Sequence, residues 1–451
     1  MMKRTLGSVM LALALMLSGA PLAQAQPEAV LLENVHLFDG TGTQRLPGTY
    51  HVLIVGKQIS AISETPISPP SDLALQRLDG RNHTLIPGLI DAHWHTMLAG
   101  PNAVQALTAD PGYLNLLAYR IAEASLLRGF TTVRDMGGPV FGLRRAIEEG
   151  VIPGPRIFPS GAMISQTGGH GDFRLPNEIP RASNDPLSHS ELIGAAAIAD
   201  GADEVLRRAR EQLMLGATQL KLMAGGGVSS PYDPIDVTQY TPEEIRAAVS
   251  VAENWGTYVT VHAYTPRAVR MAIENGVRVI EHGQMLDEDT VRLMAERDIW
   301  WSLQPFLDDE NASPKTGTAR AKQLVMMQGT DQAYRLAREY GVRVAFGTDV
   351  MFSGRLAEAQ GARLVSMQRW YSPGEILKMA TGDNGQLLAL SGPRYPYDGP
   401  LGVVQEGALA DLLLVRGDPT VDITLLARPE KNLLLIMKDG RIYQNLLGAG
   451  Q

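Results

Sequence analysis

The chain has 451 residues, of which 40 are Lys or Arg and 48 are Asp or Glu, so its formal net charge is -8. This charge argues against nucleic acid as the main partner, because a phosphate backbone is bound by clustered Lys and Arg. The absence of Cys excludes disulfide frameworks, thiolate zinc sites, iron–sulfur clusters and cysteine nucleophiles. A bound metal would therefore need His, carboxylate or a less usual ligand.

The N-terminus has the features of a secretory signal peptide. A basic start is followed by a largely apolar run over residues 6–17 and by a small-x-small pattern at residues 23–25, after which signal peptidases cut. The apolar run is shorter than the roughly 20 residues that span a bilayer, which argues against a membrane anchor. We therefore expect residues 1–25 to be removed near Ala25, leaving a periplasmic or secreted protein without a membrane association.

Strand-like sequence occupies both ends of the mature chain. Residues 26–87 contain short β-rich runs broken by Gly, Pro and Asn, and residues 395–451 have the same character. Two separate β appendages are the alternative, but each segment is too short to bury much apolar surface alone. We therefore predict that the two ends meet in one small β domain.

Residues 88–394 alternate β-rich apolar runs with amphipathic helices. Helix starts are marked at Thr241-Pro242 and Ser372-Pro373, where a hydroxyl cap precedes Pro and a Glu follows two residues later. Eight β-then-α units predict an α/β fold, a closed (β/α)8 or TIM barrel. The eight runs are residues 85–95, 130–137, 156–165, 219–226, 258–264, 277–283, 299–306 and 342–349.

Side chains that can bind metal ions recur in these runs, mostly at their carboxyl ends, the edge where barrel active sites are built. They are His93, His95, Lys221, His262, His282 and Asp349. His93 and His95 share a strand face because residues i and i+2 point the same way, whereas Trp94 points away. A lone strand His is more often a hydrogen-bonded core residue. Four His and one Asp on four different strands instead predict a metal site.

Lys221 is unusual because an ammonium inside a barrel is costly unless it is paired or neutral. One interpretation is a lysine whose stem is buried and whose head reaches solvent at the rim. The other is a neutral amine that captures carbon dioxide as a carbamate, an anionic oxygen ligand that can bridge two metals. Oxygen ligands together with imidazoles suit Zn²⁺.

Seven segments of the chain resemble the amidohydrolase superfamily, and look most like its prolidase-like, imidazolonepropionase-related branch of binuclear zinc dipeptidases. These segments are LIPGLIDAHWHTM, GFTTVRDMGG, QLKLMAGGGVSSPYDP, YVTVHAYT, VIEHGQML, FGTDV and GALADLLLVRGDP. The resemblance covers essentially the whole mature chain. It implies that the two terminal β segments form one composite β-sandwich domain.

The resemblance also implies two zinc ions per chain. His93 and His95 would hold the more buried zinc, and His262 and His282 would hold the second. Carboxylated Lys221 would bridge the two.

A hydroxide bridging two zincs would be the nucleophile, because metals lower the pKa of bound water towards about 7. Asp349 would bind the first zinc and the water, take the water's proton and pass it to the departing amine. The alternative for Asp349 is a strand-end carboxylate that only caps the following helix.

His170, in a Thr-Gly-Gly-His-Gly-Asp stretch like that of the branch, is predicted to stabilise the oxyanion or bind a substrate carboxylate. Tyr240 matches a position of substrate contact, although loop His and Tyr are often only solvent-facing.

The stretch after Asp349 departs from the family pattern. Relatives carry a Gly-Glu-Met-His-like sequence followed by Gln, whereas residues 354–360 of this chain lack that Glu and His and contain Arg355. This difference indicates altered substrate recognition, with Arg355 as a candidate for binding a carboxylate.

The predicted function is that of an exported metal-dependent amidohydrolase that cleaves the amide bond of a small molecule, a dipeptide or an N-acyl amino acid. One alternative is a hydrolase of a cyclic amide, a lactone or a xenobiotic amide such as a mycotoxin. Another is a catalytically inactive binding protein on the same fold, against which the complete ligand set argues. The sequence leaves open whether the chain forms a homo-oligomer.

Overall fold

The computed structural model describes residues 28–179 and 186–447. The predicted signal peptide, residues 1–25, lies outside these ranges. Within them, no helix has both the length and the apolar character needed to cross a membrane.

The strands of the described ranges are β1 (Ala29–Leu37), β2 (Tyr50–Val55), β3 (Gln58–Ser63), β4 (Leu75–Asp79), β5 (Thr84–Pro87), β6 (Leu89–Trp94), β7 (Phe130–Asp135), β8 (Arg156–Pro159), β9 (Met163–Ser165), β10 (Ala196–Ile198), β11 (Leu220–Met223), β12 (Val259–Ala263), β13 (Val279–His282), β14 (Trp300–Leu303), β15 (Val344–Phe346), β16 (Leu412–Val415), β17 (Leu433–Lys438) and β18 (Arg441–Asn445).

The α-helices of the same ranges are α1 (Ala103–Thr108), α2 (Pro111–Leu127), α3 (Phe141–Glu148), α4 (His189–Leu192), α5 (Ala202–Met214), α6 (Pro242–Asn254), α7 (Pro266–Glu274), α8 (Glu288–Glu296), α9 (Gly317–Gln328), α10 (Thr330–Tyr340), α11 (Gly354–Glu358), α12 (Gln360–Ser366), α13 (Pro373–Lys378), α14 (Asn384–Ala389) and α15 (Pro429–Asn432). A π-helical turn, Met379–Asp383, joins α13 to α14.

Strands from both ends of the chain share one sheet, in the order β18-β17-β16-β5-β1-β2-β3, with β4 added beside β1. The join between the ends is the antiparallel pairing of β16 with β5, in which Leu413 lies opposite Ile86. Apolar side chains of both ends, including Leu32, Val52 and Leu435, pack into one core cluster. This arrangement confirms the prediction of a β-rich domain built from both terminal segments.

The barrel strands lie in two parallel sheets, one in the order β10-β9-β11-β12-β13-β14-β15 and one in the order β6-β7-β8. The Asn384 side-chain amide links β6 to β15, because it donates to Ile90 O at 2.7 Å and to Phe346 O at 2.9 Å. With helices between the strands, this architecture confirms the predicted (β/α)8 barrel.

Two of the predicted runs are each split into two strands. Residues 85–95 form β5 in the β-rich domain and β6 in the barrel, divided at Gly88, where a Cβ would lie only 2.0 Å from the Thr131 hydroxyl. Residues 156–165 form β8 and β9, divided at Gly161, whose φ of 74° ends the extended conformation. The unpredicted β10 is only three residues long, too short to give a periodic signal.

The helix starts predicted from capping signals are present. The Thr241 hydroxyl accepts from the Glu244 backbone N–H at the start of α6, and Glu244 bonds back to the Thr241 N–H. Ser372 and Glu375 make the same reciprocal pair at α13. These caps fix where the two helices begin.

Candidate metal centre

The ends of β6 and β15 bring two imidazoles to one carboxylate. The Nε2 atoms of His93 and His95 each lie 3.2 Å from Asp349 Oδ1. The Asp349 backbone N–H donates to His93 O at 2.7 Å, which holds the segment after β15 against β6. Three of the predicted ligands therefore converge on one point.

His262 and His282 extend this cluster from β12 and β13. Their ring centroids are 4.4 Å apart, and that of His282 is 4.9 Å from that of His93. One ligand atom each from His93, His282 and Asp349 lies within 4.8 Å of the other two. Burial is the largest cause that holds the pKa of His262 and of His282 well below the usual value. These rings are therefore neutral near pH 7, as metal ligands must be.

Each of the four imidazoles makes an outward hydrogen bond through one ring nitrogen. The bonds run from His93 Nδ1 to Glu281 Oε2 (2.7 Å), His95 Nδ1 to Gly137 O (3.0 Å), His262 Nε2 to Gly226 O (3.1 Å) and His282 Nδ1 to Gln304 Oε1 (2.7 Å). A His that donates from one nitrogen presents the other as a lone-pair ligand. The hydrogen bonds thus select the nitrogen that each ring offers to a metal.

Lys221, on β11, lines the same cavity and is only 1% exposed, so its head does not reach solvent at the rim. Burial lowers its pKa to about 8, although Glu281 and Asp349 oppose this effect. A lysine with this pKa has an appreciable neutral fraction near neutral pH, and the neutral amine is the form that reacts with carbon dioxide. With the four imidazoles and Asp349, the donor set fits divalent metal ions, zinc among them.

Glu281 is a functional residue that the sequence reasoning missed. Regular alternation along β13 would place Glu281 and His282 on opposite faces. His282 instead has a φ of 75°, outside the extended region, and both side chains reach the cluster. The signal that could have found Glu281 is an acidic residue next to a ligand in an otherwise apolar buried run.

His170 reaches the cavity from the loop after β9, as the sequence predicted. Its ring stacks on His262 with a centroid distance of 4.0 Å. Its Nδ1 is 2.7 Å from Ser230 Oγ, and Ser230 donates in turn to Asp233. Burial raises the pKa of Asp233, but hydrogen bonding to His170 and Ser230 outweighs it and holds that pKa below the usual value. Asp233 is therefore a carboxylate that orients His170.

The structure does not bring Tyr240 or Arg355 to the cavity. The Tyr240 ring is buried in the barrel's apolar core, with a backbone φ of 64°, and its hydroxyl has no hydrogen-bond partner among the described residues. Arg355 is exposed and donates to Glu310 O at 3.2 Å. Sequence position alone does not determine where a loop side chain points. Tyr264 lines the cavity instead, with its ring centroid 5.0 Å from that of His262.

The rest of the cavity wall is largely apolar, with charged residues near the mouth. Met163, Phe173 and Met223 lie on one side, and Phe306, Met326 and Met327 on another. The cavity can therefore accept a small molecule with apolar groups next to a polar reacting centre.

Comparisons with known proteins agree with this geometry. Residues 84–443 match the amidohydrolase family. Ochratoxinase from Aspergillus niger is 31% identical over 408 residues, which cover 87% of this chain and 82% of that protein.

Two solved structures are similar over most of the chain. A prolidase in complex with N-methylphosphonate-L-proline is 33% identical with a TM-score of 0.83, covering 92% of this chain and 100% of that one. A Xaa-Pro dipeptidase with methionine in its active site is 31% identical with a TM-score of 0.77, again covering 92% and 100%. The chain thus belongs to the amidohydrolase family, and it is a hydrolase that acts on carbon–nitrogen bonds.

Proposed function

We propose that the chain is an exported zinc-dependent amidohydrolase that cleaves the amide bond of a dipeptide or an N-acyl amino acid. The observation that carries the proposal is the convergence of four imidazoles, Asp349 and the buried Lys221 at one cavity. The prolidase and the Xaa-Pro dipeptidase among the similar structures support a dipeptide substrate.

The chain would hold two zinc ions through its four cluster imidazoles and Asp349, with carboxylated Lys221 as the shared anionic ligand. When bound, such ions supply an acidified water and an electrophile for the scissile carbonyl. No Cys is available as a ligand, so the carbamate would provide the bridging negative charge.

Asp349 would move the proton of the reaction. Burial raises its pKa, but the neighbouring His93 and His95 outweigh this and hold that pKa well below the usual value. It is therefore a carboxylate at neutral pH and can accept a proton from the attacking water as the new C–O bond forms. Its proton then passes to the amine nitrogen as the C–N bond breaks.

His170 would act on the substrate rather than on the metals. Its Nδ1 is engaged by Ser230, which leaves Nε2 for the substrate. An Nε2–H in this position would donate to the negative oxygen that develops on the carbonyl during attack. Its stacking on His262 holds it beside the reacting centre.

Export rests on the N-terminal sequence, whose residues 1–25 have the pattern of a cleaved signal. Mass spectrometry of the protein recovered from the periplasm or medium of an expressing cell tests this step. The expected mature N-terminus is Gln26. A protein found only inside the cell with residues 1–25 intact would contradict it.

A second candidate is hydrolysis of a xenobiotic amide at the same centre. The apolar cavity walls and the similarity to ochratoxinase favour it. A panel of dipeptides with apolar C-terminal residues, lactams, lactones and ochratoxin, tested with zinc and bicarbonate present, separates the candidates. We expect dipeptide turnover. Turnover of the other compounds with none of any dipeptide would favour the second candidate, and no turnover at all would favour an inactive binding protein.

A further inference from the structure

A lysine outside the metal centre lines the cavity without an acidic partner in the part of the chain that the structure describes. Lys315 lies just before α9, lines the cavity and is half-buried. Its Nζ donates to Ser229 Oγ at 3.1 Å, and among the described residues no carboxylate oxygen lies within salt-bridge distance of it. An ammonium has three donors, so two of them have no protein partner among the described residues.

Two other cations lie in this region: Arg363 lines the cavity, and Lys322 is an electrostatic neighbour of Lys315. The Lys322 ammonium donates to Ser230 O and Asp233 O at 2.9 and 3.0 Å. The Arg363 guanidinium donates to Thr348 O and Asn311 O at 3.1 and 2.5 Å. Both side chains hold backbone carbonyls, although the buried Arg363 Nε has no hydrogen-bond partner among the described residues. Outside the metal centre, Lys315 is thus a cavity-wall cation whose head group makes a single hydrogen bond within the described ranges.

The loop that carries Lys315 is fixed at several points. Arg363 binds Asn311 O, and the Gln323 side chain donates to Ser313 O at 2.8 Å. Arg320 forms an ion pair with Asp308 at 2.6 Å. A cation on an anchored loop loses little freedom when it binds a ligand, which favours a defined recognition site.

Lys315 also lies within electrostatic reach of the reacting centre. Burial lowers its pKa, whereas the Asp349 carboxylate raises it. The partly buried apolar side chains of Phe306 and Met327 line the wall close to this loop. A ligand that joins an anion to an apolar group would therefore meet complementary surfaces here.

We propose that Lys315 binds the α-carboxylate of the amino acid that leaves on amide cleavage, and that the apolar wall around Phe306 accepts the side chain of the same residue. This inference rests on the proposed function, because dipeptides and N-acyl amino acids both carry a free carboxylate on the departing amine. It assigns to Lys315 the role that the sequence suggested for Arg355.

The test compares equilibrium binding of L-phenylalanine and L-phenylalaninamide, which differ in the carboxylate, by titration calorimetry of the zinc-loaded protein. Wild type should bind the carboxylate form about tenfold or more tighter, as expected for hydrogen bonds to a charged group. In Lys315→Met this preference should fall to near unity, with the affinity for the amide, the zinc content and the melting temperature unchanged.

Arg335→Met is the matched control, because Arg335 is an exposed cation on the neighbouring α10 that pairs with Glu339 and does not line the cavity. It should keep the full preference. A preference that survives in Lys315→Met, or wild type that shows none or binds neither compound, would overturn the assignment.

The same titrations separate this inference from the proposed function. If the protein hydrolyses dipeptides but Lys315→Met still prefers L-phenylalanine over its amide, the proposed function holds and the assignment of Lys315 fails. If the protein binds L-phenylalanine through Lys315 but cleaves no dipeptide, the assignment of Lys315 holds and the proposed function fails.

Discussion

Glu281 Oε2 accepts a hydrogen bond from His93 Nδ1 at 2.7 Å, and both side chains are almost completely buried. The other carboxylate oxygen accepts from Arg134 at 2.6 Å and from the Thr260 hydroxyl at 2.5 Å. Burial raises the pKa of Glu281, but Arg134 and His93 outweigh it and hold that pKa well below the usual value. A permanent carboxylate thus orients His93 so that its Nε2 faces Asp349.

Replacing the Glu281 carboxylate should weaken metal binding rather than alter substrate contacts. In Glu281→Gln we expect the zinc affinity to fall about 10- to 100-fold, because a partner that orients a ligating His is lost. Competition with a chromogenic chelator measures this affinity without reference to activity.

Thr260→Val is the control for Glu281→Gln, since it removes one hydroxyl donor to Glu281 and leaves the carboxylate and its hydrogen bond to His93 in place. Its zinc affinity should stay within a few-fold of wild type. Equal affinities for Glu281→Gln and wild type would show that the carboxylate does not support the site.

Removing the charge of Asp233 should disorient His170 and leave the metal ligands in place. We expect Asp233→Asn to lower kcat about tenfold or more with little change in zinc content, because the Asp233–Ser230–His170 chain loses its charged end. Steady-state kinetics on the best dipeptide measures the effect. The control is Asp236→Asn, because Asp236 is exposed in the same loop, and this variant should have the wild-type kcat. A wild-type kcat in Asp233→Asn would contradict the role of Asp233 in orienting His170.

The β-rich domain should give the protein a measurable pH dependence on the alkaline side. Burial lowers the pKa of Lys438 to about 8 from the usual value of 10.5, although Asp411 opposes the effect. Between these values the unfolded chain binds more protons than the folded chain, so the free energy of unfolding rises with pH. In Lys438→Met this rise, about 3 kcal/mol in total, should be missing.

Urea unfolding of wild type and Lys438→Met at pH 7.5 and pH 9.5 measures the difference. Lys57→Met, on the exposed turn between β2 and β3, is the control and should keep the wild-type slope. Parallel pH profiles for wild type and Lys438→Met would contradict the assignment.

The parts of the site that follow strand periodicity could be predicted from the sequence. Two-residue spacing placed His93 and His95 on one face, and their Nε2 atoms do meet Asp349. The spacing could not reveal Glu281, because the positive φ of His282 breaks the alternation, nor Arg134, which lies 147 residues away along the chain.

The positions of loop side chains could not be predicted from the sequence. Tyr240 and Arg355 have suitable chemistry, but the backbone turns them into the apolar core and onto the surface. Lys315 has no local pattern that marks it, and only the folded cavity shows that it has no acidic partner among the described residues. The overall fold could be predicted because alternating runs and helix caps repeat along the chain. Strand β10 could not be predicted, because it is too short to show a period.

We propose that Lys221 and the imidazoles together hold a two-metal centre. Plasma mass spectrometry of protein loaded with zinc and bicarbonate and then freed of excess metal measures the metal content directly. We expect about two zinc ions per wild-type chain and at most about one in Lys221→Ala, where the bridging ligand is lost. Well under one zinc per wild-type chain, or the same zinc content in both proteins, would contradict it.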